Sequence, residues 1–138
     1  MRSLTRKAAT AGATLVLAMS GALLAAGPAS AATSCYASSC TGKDPATTTC
    51  ANDAITVSTD GDLELRYSPS CRAAWARDRN ADAGESVSIK NHPGQDNDYS
   101  TFTASGGAIW SAMDNDANIQ SQATSNGGHK GYHETGWY

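Results

Sequence analysis

The sequence has very few large apolar side chains beyond residue 31. Among the 138 residues, nine after that point are Ile, Leu, Val or Phe: Ile55, Val57, Leu63, Leu65, Val87, Ile89, Phe102, Ile109 and Ile119. They make up under about a tenth of this part of the chain, well below the roughly 20% under which disorder becomes a concern. Such a core is marginal, so we expect aromatic residues and covalent cross-links to supplement it.

Basic residues are also few, and three of them stand within the first seven positions. The chain has 10 Lys and Arg residues against 13 Asp and Glu residues. Without Arg2, Arg6 and Lys7, seven basic residues face 13 acidic ones, which gives a net charge of −6. No basic patch remains to neutralise phosphates, so the composition argues against nucleic acid or an anionic bilayer as the partner.

The N-terminus has the three parts of a secretory signal peptide. After the basic residues, residues 8–26 are apolar and rich in Ala and Leu, and the small residues Ala29-Ser30-Ala31 follow. A signal peptidase accepts such residues, so we expect residues 1–31 to be cleaved off, with cleavage after Ala32 as the alternative. The predicted mature chain is therefore secreted, extracellular and without a membrane span.

Four cysteines follow the signal: Cys35, Cys40, Cys50 and Cys71. An even number of cysteines in a short exported chain is typical of a disulfide framework, and four cysteines allow three connectivities. A zinc site would need paired Cys-x-x-Cys knuckles, which these spacings do not provide. We therefore predict disulfides, with no metal and no cofactor.

A predicted β-hairpin bears on the connectivity. Apolar residues alternate on both sides of a turn signal, which indicates two strands and a short loop. A three-residue loop, Thr59-Asp60-Gly61, would pair Val57 with Leu63 and Ile55 with Leu65. Both apolar sets would then share one buried face, so we predict this loop.

The same register brings Cys50 and Cys71 to within about one residue of alignment. The preferred pairs are therefore Cys50–Cys71 and Cys35–Cys40. The alternative, Cys35–Cys50 with Cys40–Cys71, stays open, because it closes longer loops and would stabilise the chain about as well.

The remaining pattern predicts several more short strands. They cover residues 71–77, 86–90, 99–104, 108–113 and 119–124, with turn residues between them. Gly106-Gly107 would join the third and fourth of these as a second hairpin. The expected fold class is all-β, a small disulfide-stapled β-sandwich or open barrel of about 5–7 short antiparallel strands.

We expect a single β domain over residues 32–126, followed by a loosely held Gly- and His-rich tail over residues 127–138. Trp75 should pack beside the predicted Cys50–Cys71 bridge, because a chain short of aliphatic residues needs its aromatic residues in the core.

Several short motifs are spread along most of the predicted mature chain. They are Cys35-Tyr36, Cys40-Thr41-Gly42-Lys43-Asp44-Pro45, Cys50, Leu63-Glu64-Leu65-Arg66-Tyr67-Ser68, Cys71, Trp75-Ala76-Arg77 and the stretch from Met113 to Asn118. Together they resemble domain-of-unknown-function family 2690, a family of small secreted actinobacterial proteins. Asp114 departs from the pattern, in which an apolar residue usually follows the methionine. The resemblance implies a portable module and transfers no catalytic residue.

Two Asp-Asn-Asp turns offer the hard oxygen ligands that calcium uses, Asp96 with Asp98 and Asp114 with Asp116. Neither matches a full calcium-binding loop, and Asp and Asn also favour turns because their side chains hydrogen-bond to nearby backbone groups. A weak calcium-dependent carbohydrate binder using these four residues is an alternative hypothesis.

Motifs for catalysis are weak. His129 and His133 stand four apart beside Glu134, but the surrounding glycines disfavour the helix that a metalloprotease site requires. No nucleophile-elbow sequence surrounds a serine. A glycosidase would need two acids from separate strands, and Glu64 should face solvent on the hairpin. We predict no catalytic residue, with a hydrolase of cell-envelope polymers as the alternative.

Two sets of side chains offer a binding surface. Tyr132, Trp137 and Tyr138 are the better aromatic candidates, because the other large aromatics should be consumed by the core. Four arginines, Arg66, Arg72, Arg77 and Arg79, flank the second and third strands. They could bind a carboxylated polymer, although outward arginines usually pair with surface acids for little gain.

The sequence thus predicts a secreted, non-enzymatic β-sheet module with an extracellular binding or structural role. Its predicted partner is an unknown extracellular protein or polysaccharide.

Overall fold

A computed structural model describes residues 32–92, 99–102 and 105–138, with side chains outside 99–102. The predicted signal, Asp96 and Asp98 lie outside the described residues.

The strands are β1 (Ile55–Asp60), β2 (Leu63–Ser68), β3 (Ala73–Ala81), β4 (Ser86–His92), β5 (Tyr99–Phe102), β6 (Gly107–Trp110), β7 (Asp114–Asn115), β8 (Gln120–Asn126) and β9 (His133–Glu134). Three 3₁₀ turns precede them: Ala37–Cys40, Pro45–Thr47 and Thr49–Asn52. No helix in these ranges is long and apolar enough to cross a membrane.

The strands form two antiparallel sheets. The first has the order β1-β2-β3-β6, with β7 also paired to β3, and the second has the order β5-β4-β8-β9. Both sheets are open, and apolar side chains from both meet in one core. The predicted all-β fold class is confirmed, in its sandwich form.

The main core lies between the two sheets. In β2, Leu63 and Leu65 face inward, and the antiparallel register sets Ala76 of β3 opposite Leu65. The buried members are Leu63, Leu65, Ala74, Ala76, Ala81, Val87, Ile89, Ile109 and Ala123. Alanine occupies four of these positions, so the sheets can close over only five larger aliphatic side chains. This is how a chain so short of aliphatic residues forms a sandwich.

A second, smaller core lies on the other face of the first sheet. Trp75 and Met113 pack there with the disulfides Cys35–Cys40 and Cys50–Cys71. The two disulfides are in contact, because the Sγ atoms of Cys35 and Cys50 lie 3.4 Å apart. Cys50–Cys71 fastens the segment 32–53, which we call the N-terminal cover, to the connection between β2 and β3, and Cys35–Cys40 closes a loop within the cover.

The predicted disulfide bonds are therefore present, in the pairs that the hairpin favoured. Their place in the molecule differs from the expectation that they reinforce one marginal core. They stabilise the N-terminal cover, while the core between the sheets contains no cysteine.

The β1–β2 hairpin has another register than the one predicted. Asp60 pairs with Leu63 across a two-residue turn, Gly61-Asp62, and the register shifts between Thr56 and Ser58. Gly61 has a φ of 61°, which suits the first central position of a tight hairpin turn.

The predicted loop Thr59-Asp60-Gly61 and the pairings it implied are therefore wrong. Ile55 lies opposite Tyr67 instead of Leu65, and it is 48% exposed. The prediction used a three-residue loop to bring the apolar residues of both strands to one face. In the structure, a bulge at Val57 shifts the register by one residue instead. Val57 still packs against the main core.

The predicted second hairpin is also wrong. β5 pairs with β4 in the second sheet, whereas β6 pairs with β3 in the first. The chain thus passes from one sheet to the other between them. Gly106 and Gly107 have φ values of 80° and 104°, a region open to glycine, and they permit this change of direction.

The Gly- and His-rich segment 127–138, which the sequence suggested is loosely held, pairs with the second sheet at two points. Glu134 of β9 lies opposite Thr124 of β8. Tyr138 exchanges two backbone hydrogen bonds of 3.0 Å with Ser121. These bonds bring the exposed tail aromatics to defined places on the surface.

Candidate binding groove

The outer face of the first sheet carries arginine and tryptophan side chains in direct opposition. Arg66 of β2 lies opposite Trp75 of β3, and Arg77 of β3 lies opposite both Glu64 of β2 and Trp110 of β6. Directly opposed residues project from the same face of a sheet at about 5 Å. Strand alternation and register together therefore assemble this set.

A groove of about 190 Å³ runs beside these side chains. The sheet contributes Arg66, Trp75, Arg77 and Trp110 to its lining, and the N-terminal cover contributes Pro45, Ala46 and Ala51. Sites for whole small molecules usually measure about 300–1,000 Å³. The groove therefore suits one unit of a longer ligand.

Asp44 of the N-terminal cover holds Trp110 in place. Its Oδ1 accepts hydrogen bonds of 2.9 Å from the indole Nε1 of Trp110 and from the backbone nitrogen of Ala46, and it thereby caps the turn Pro45–Thr47. Trp110 and Asp44 also line a neighbouring depression of about 250 Å³ with Gly42, Ser111 and Ala112. The two depressions adjoin at Trp110, so an extended ligand can span both.

Three arginines, Arg66, Arg77 and Arg79, share this face with two carboxylates, Glu64 and Asp62. Glu64 is 7% exposed, and its carboxylate lies 2.7 Å from Arg77 Nη2 and 3.4 Å from Arg79 Nε. One carboxylate thus faces two guanidinium groups. The prediction that Glu64 faces solvent is wrong, because the two arginines cover it.

Arg66 has no carboxylate partner among the described residues. Its guanidinium donates to Thr56 Oγ1 at 2.7 Å and to the backbone oxygen of Ala54 at 2.8 Å. Burial and then the charge of Arg77 lower the pKa of Arg66, while Glu64 opposes this shift. The Arg66 cation is therefore partly desolvated, and an anionic ligand in the groove would stabilise it.

The three tail aromatics do not form one platform. They are roughly half exposed, and each has a different neighbour: Tyr67 beside Tyr138, His92 beside Trp137 and Lys90 beside Tyr132. The structure instead brings Trp75 and Trp110 together with Arg66 and Arg77. Trp75 is 4% exposed and packs with the cysteines, so it offers the groove only an edge.

The two calcium candidates within the described residues take part in hydrogen bonds. The buried carboxylate of Asp114 accepts hydrogen bonds from Thr41 Oγ1 at 2.8 Å and from Asn91 Nδ2 at 2.7 Å. Asp116 accepts one from Ser121 Oγ at 2.8 Å. These bonds link the N-terminal cover to the second sheet, and the calcium site stays a prediction.

The histidine motif of the tail forms no helix. His133 lies in β9, where its Nδ1 is 3.1 Å from Asp60 Oδ2 and its Nε2 is 2.9 Å from the backbone oxygen of Lys130. The hydrogen bond to Asp60 is the largest cause that raises the pKa of His133. Among the described residues, the one group of side chains clustered closely enough to hold a metal consists of the four cysteines, all of them in disulfides.

Sequence reasoning missed the part of the groove that the N-terminal cover forms, namely Pro45, Ala46 and Ala51. The pair Asp44-Pro45 was a usable local signal, since Asp is favoured as the cap of a turn and Pro as its first residue. No local signal indicated that this turn would pack beside Trp110.

The fold and the groove define a two-sheet β module with a disulfide-fastened cover. The family model described as "Protein of unknown function (DUF2690)" matches residues 38–126, and the chain belongs to this family. The resemblance seen in the sequence is thereby confirmed. Comparison with curated proteins and with solved structures found no match.

Proposed function

We propose that the protein is a secreted, non-enzymatic binding module that holds a carboxylated polysaccharide in the groove. The observation that carries this proposal is Arg66, a partly buried guanidinium with no carboxylate partner among the described residues, set opposite Trp75. An acidic sugar combines the two groups that this arrangement suits. Its carboxylate accepts charge-assisted hydrogen bonds from arginine, and its ring packs against the partly exposed indole of Trp110, which lines the same groove.

The shape of the groove supports a polymer as the ligand. It accommodates only one unit, yet it adjoins a second depression at Trp110. A chain of repeating units can therefore fill both. The predicted mature chain has a net charge of −6, and the arginines on this face stand out against that overall negative charge.

The chemistry of the lining supports binding over hydrolysis. A glycosidase needs two carboxyl groups about 5–10 Å apart on either side of the bond that is cleaved. The described residues that line the groove include two arginines and no carboxyl or imidazole group. The secretory pattern of residues 1–31 and the two disulfides support an extracellular location.

The test is calorimetric titration with polygalacturonate, and with neutral dextran as the reference polymer. Arg66→Gln removes the guanidinium that lacks a carboxylate partner among the described residues, and it should weaken polygalacturonate binding about tenfold or more, since hydrogen bonds to charged groups contribute about 1.5–3 kcal/mol. Arg79→Gln is the matched control, because it removes the same charge from the same face but from outside the groove.

If both variants lose affinity equally, the protein responds only to net charge and the groove is not the site. Release of reducing ends from the polymer would favour a hydrolase. Binding that requires added calcium would favour the calcium-dependent carbohydrate binder.

A further inference from the structure

Two residues with a left-handed backbone meet at another depression, which shares no lining residue with the groove. Arg72 has a φ of 49° and Asn118 a φ of 61°, and Arg72 Nη2 donates a hydrogen bond of 3.1 Å to Asn118 Oδ1. Asparagine tolerates this region, whereas an arginine is strained there, and such strain persists where neighbouring contacts enforce it, often at binding sites.

The neighbouring contacts here are strong. The backbone nitrogen of Arg72 donates a hydrogen bond of 2.8 Å to the backbone oxygen of Ser68. Its backbone oxygen accepts one of 3.0 Å from the backbone nitrogen of Asp116. The preceding residue, Cys71, is anchored by a disulfide. These contacts hold the Arg72 backbone in a conformation that a glycine would adopt without strain, and they fix where its side chain begins.

The Arg72 guanidinium has an unused donor. The Nε of Arg72 is buried and has no hydrogen-bond partner within residues 32–92, 99–102 and 105–138. In arginine, Nε and Nη2 present parallel N–H groups along one edge, and here Asn118 occupies only Nη2. A ligand oxygen that replaces the exposed Asn118 side chain at this edge would accept from both, and buried donors without a partner are rare.

The rest of the depression offers acceptors and aromatic surface. It measures about 350 Å³ and is lined by Tyr67, Arg72, Asp116, Asn118, Ile119, Gln120 and Tyr138. The rings of Tyr67 and Tyr138 lie 5.5 Å apart at one side. Asp116 Oδ1 accepts from Ser121, and no described residue donates to Asp116 Oδ2.

We propose that this depression is a second binding site, specific for a neutral sugar residue. Arg72 and Asp116 carry opposite charges that cancel, so the site favours a ligand without net charge. Sugar hydroxyl groups both accept and donate, which matches a free arginine edge beside a free carboxylate oxygen. The sugar ring packs on Tyr138. The site does not depend on the groove, whose ligand is anionic.

The test is NMR titration of ¹⁵N-labelled protein with neutral malto-, cello- and chito-oligosaccharides. At least one series should shift the Arg72 Nε–H signal and the Tyr138 amide in a saturable way, while the Trp110 indole N–H stays unchanged. Arg72→Lys keeps the charge and the backbone strain but lacks the parallel donor pair, so it should lose the shift at Tyr138. Arg79→Lys, on the exposed surface, should keep it.

Arg72→Gly guards against misfolding as the cause. Glycine relieves the strain at this position, so this variant should melt no lower than the wild type and still lose binding. The proposal is wrong if none of the oligosaccharides shifts the two signals, or if Arg72→Lys binds as tightly as the wild type. Shifts confined to the Trp110 indole would assign neutral sugars to the groove and would also overturn the site at Arg72.

Discussion

Arg77 holds Glu64 with two contacts to one oxygen: Nη2 lies 2.7 Å from Glu64 Oε2, and Nε donates to the same atom at 2.8 Å. The same carboxylate also faces Arg79. Glu64 therefore sets how much positive charge remains on this face for a ligand.

Glu64→Gln should make the protein less stable and its groove a better anion site. The change leaves Arg77 and Arg79 without their buried anion, which should lower the free energy of unfolding by about 1–3 kcal/mol. The same loss of negative charge should raise the affinity for polygalacturonate. Urea denaturation and calorimetric titration measure the two effects.

Asp62→Asn is the control for this variant. It also removes one negative charge, but from an exposed pair with Arg79 whose Nη2 lies 3.3 Å from Asp62 Oδ1. Exposed pairs contribute about 0–1 kcal/mol, so stability should change little and affinity less than in Glu64→Gln. A Glu64→Gln protein that binds more weakly than the wild type would contradict the assignment of charge on this face.

Loss of the two disulfides should have unequal effects. In the chain-entropy model, the Cys50–Cys71 bridge contributes about 3.4 kcal/mol and the Cys35–Cys40 bridge about 2.2 kcal/mol. Replacing both cysteines of one bridge by serine should therefore lower the melting temperature more for the first bridge. Cys50–Cys71 fastens the N-terminal cover to the first sheet, and Cys35–Cys40 shapes the cover and contacts that bridge, so polygalacturonate binding should fall in each variant. Binding that survives the loss of Cys50–Cys71 would separate the groove from the cover.

Asp116→Asn should stabilise the protein at neutral pH. Burial raises the pKa of Asp116 to about 6, while the Ser121 hydrogen bond and then the charge of Arg72 oppose the shift. The folded state therefore binds this proton more tightly than the unfolded state, whose carboxyl titrates near pH 4. The free energy of unfolding should fall as the pH rises from about 4 to about 6, and this contribution should then stay level.

The amide that replaces the Asp116 carboxylate in this variant would keep an acceptor for Ser121 without a charge, so the variant should lack this fall. The difference from the wild type should grow to the order of 2 kcal/mol between pH 4 and pH 7. Denaturation curves across this range measure it. A constant difference between the two proteins at all pH values would show that Asp116 does not titrate there.

Export should leave a chain that begins at Ala32. The small residues Ala29-Ser30-Ala31 predict cleavage after Ala31. Cleavage there keeps Thr33, whose backbone pairs with Thr47 and Thr49 of the N-terminal cover. Intact-mass analysis of protein from the culture medium tests the boundary. Unprocessed chain confined to the cells would contradict the secretory prediction.

Local sequence was a sound guide wherever neighbouring residues decide the structure. The alternation of Leu63, Leu65 and Tyr67 predicts the inward face of β2, because side chains along a strand point to opposite faces in turn. The failures came where one residue had to be placed against a distant one. Val57 shows this. A bulge and a three-residue loop each shift the pairing by one residue, so the alternation of apolar residues cannot distinguish between them.

The groove also combines features that local sequence predicts with features that depend on distant residues. The four arginines were visible as candidates, whereas the large aromatics outside the tail were assigned to the core. Arg66 and Arg77 join Trp110 only because β6 pairs with β3 and not with β5. Glu64 is buried only because β3 sets Arg77 opposite it. Neither relationship has a local signal, since each joins residues more than ten positions apart.

The amino-acid sequence by itself determined the all-β class, the disulfide-forming cysteines and the alternating faces of the strands, because these follow from composition and from contacts between near neighbours. Only the tertiary structure decided that the apolar residues divide into two cores, that the Cys50–Cys71 bridge fastens a cover over the outer face, and that Arg66 is left without a carboxylate partner among the described residues. Those outcomes depend on which strands pair and on how the register aligns them. Sheet pairing joins residues far apart in the chain, and their mutual fit exists only once the whole sandwich has formed.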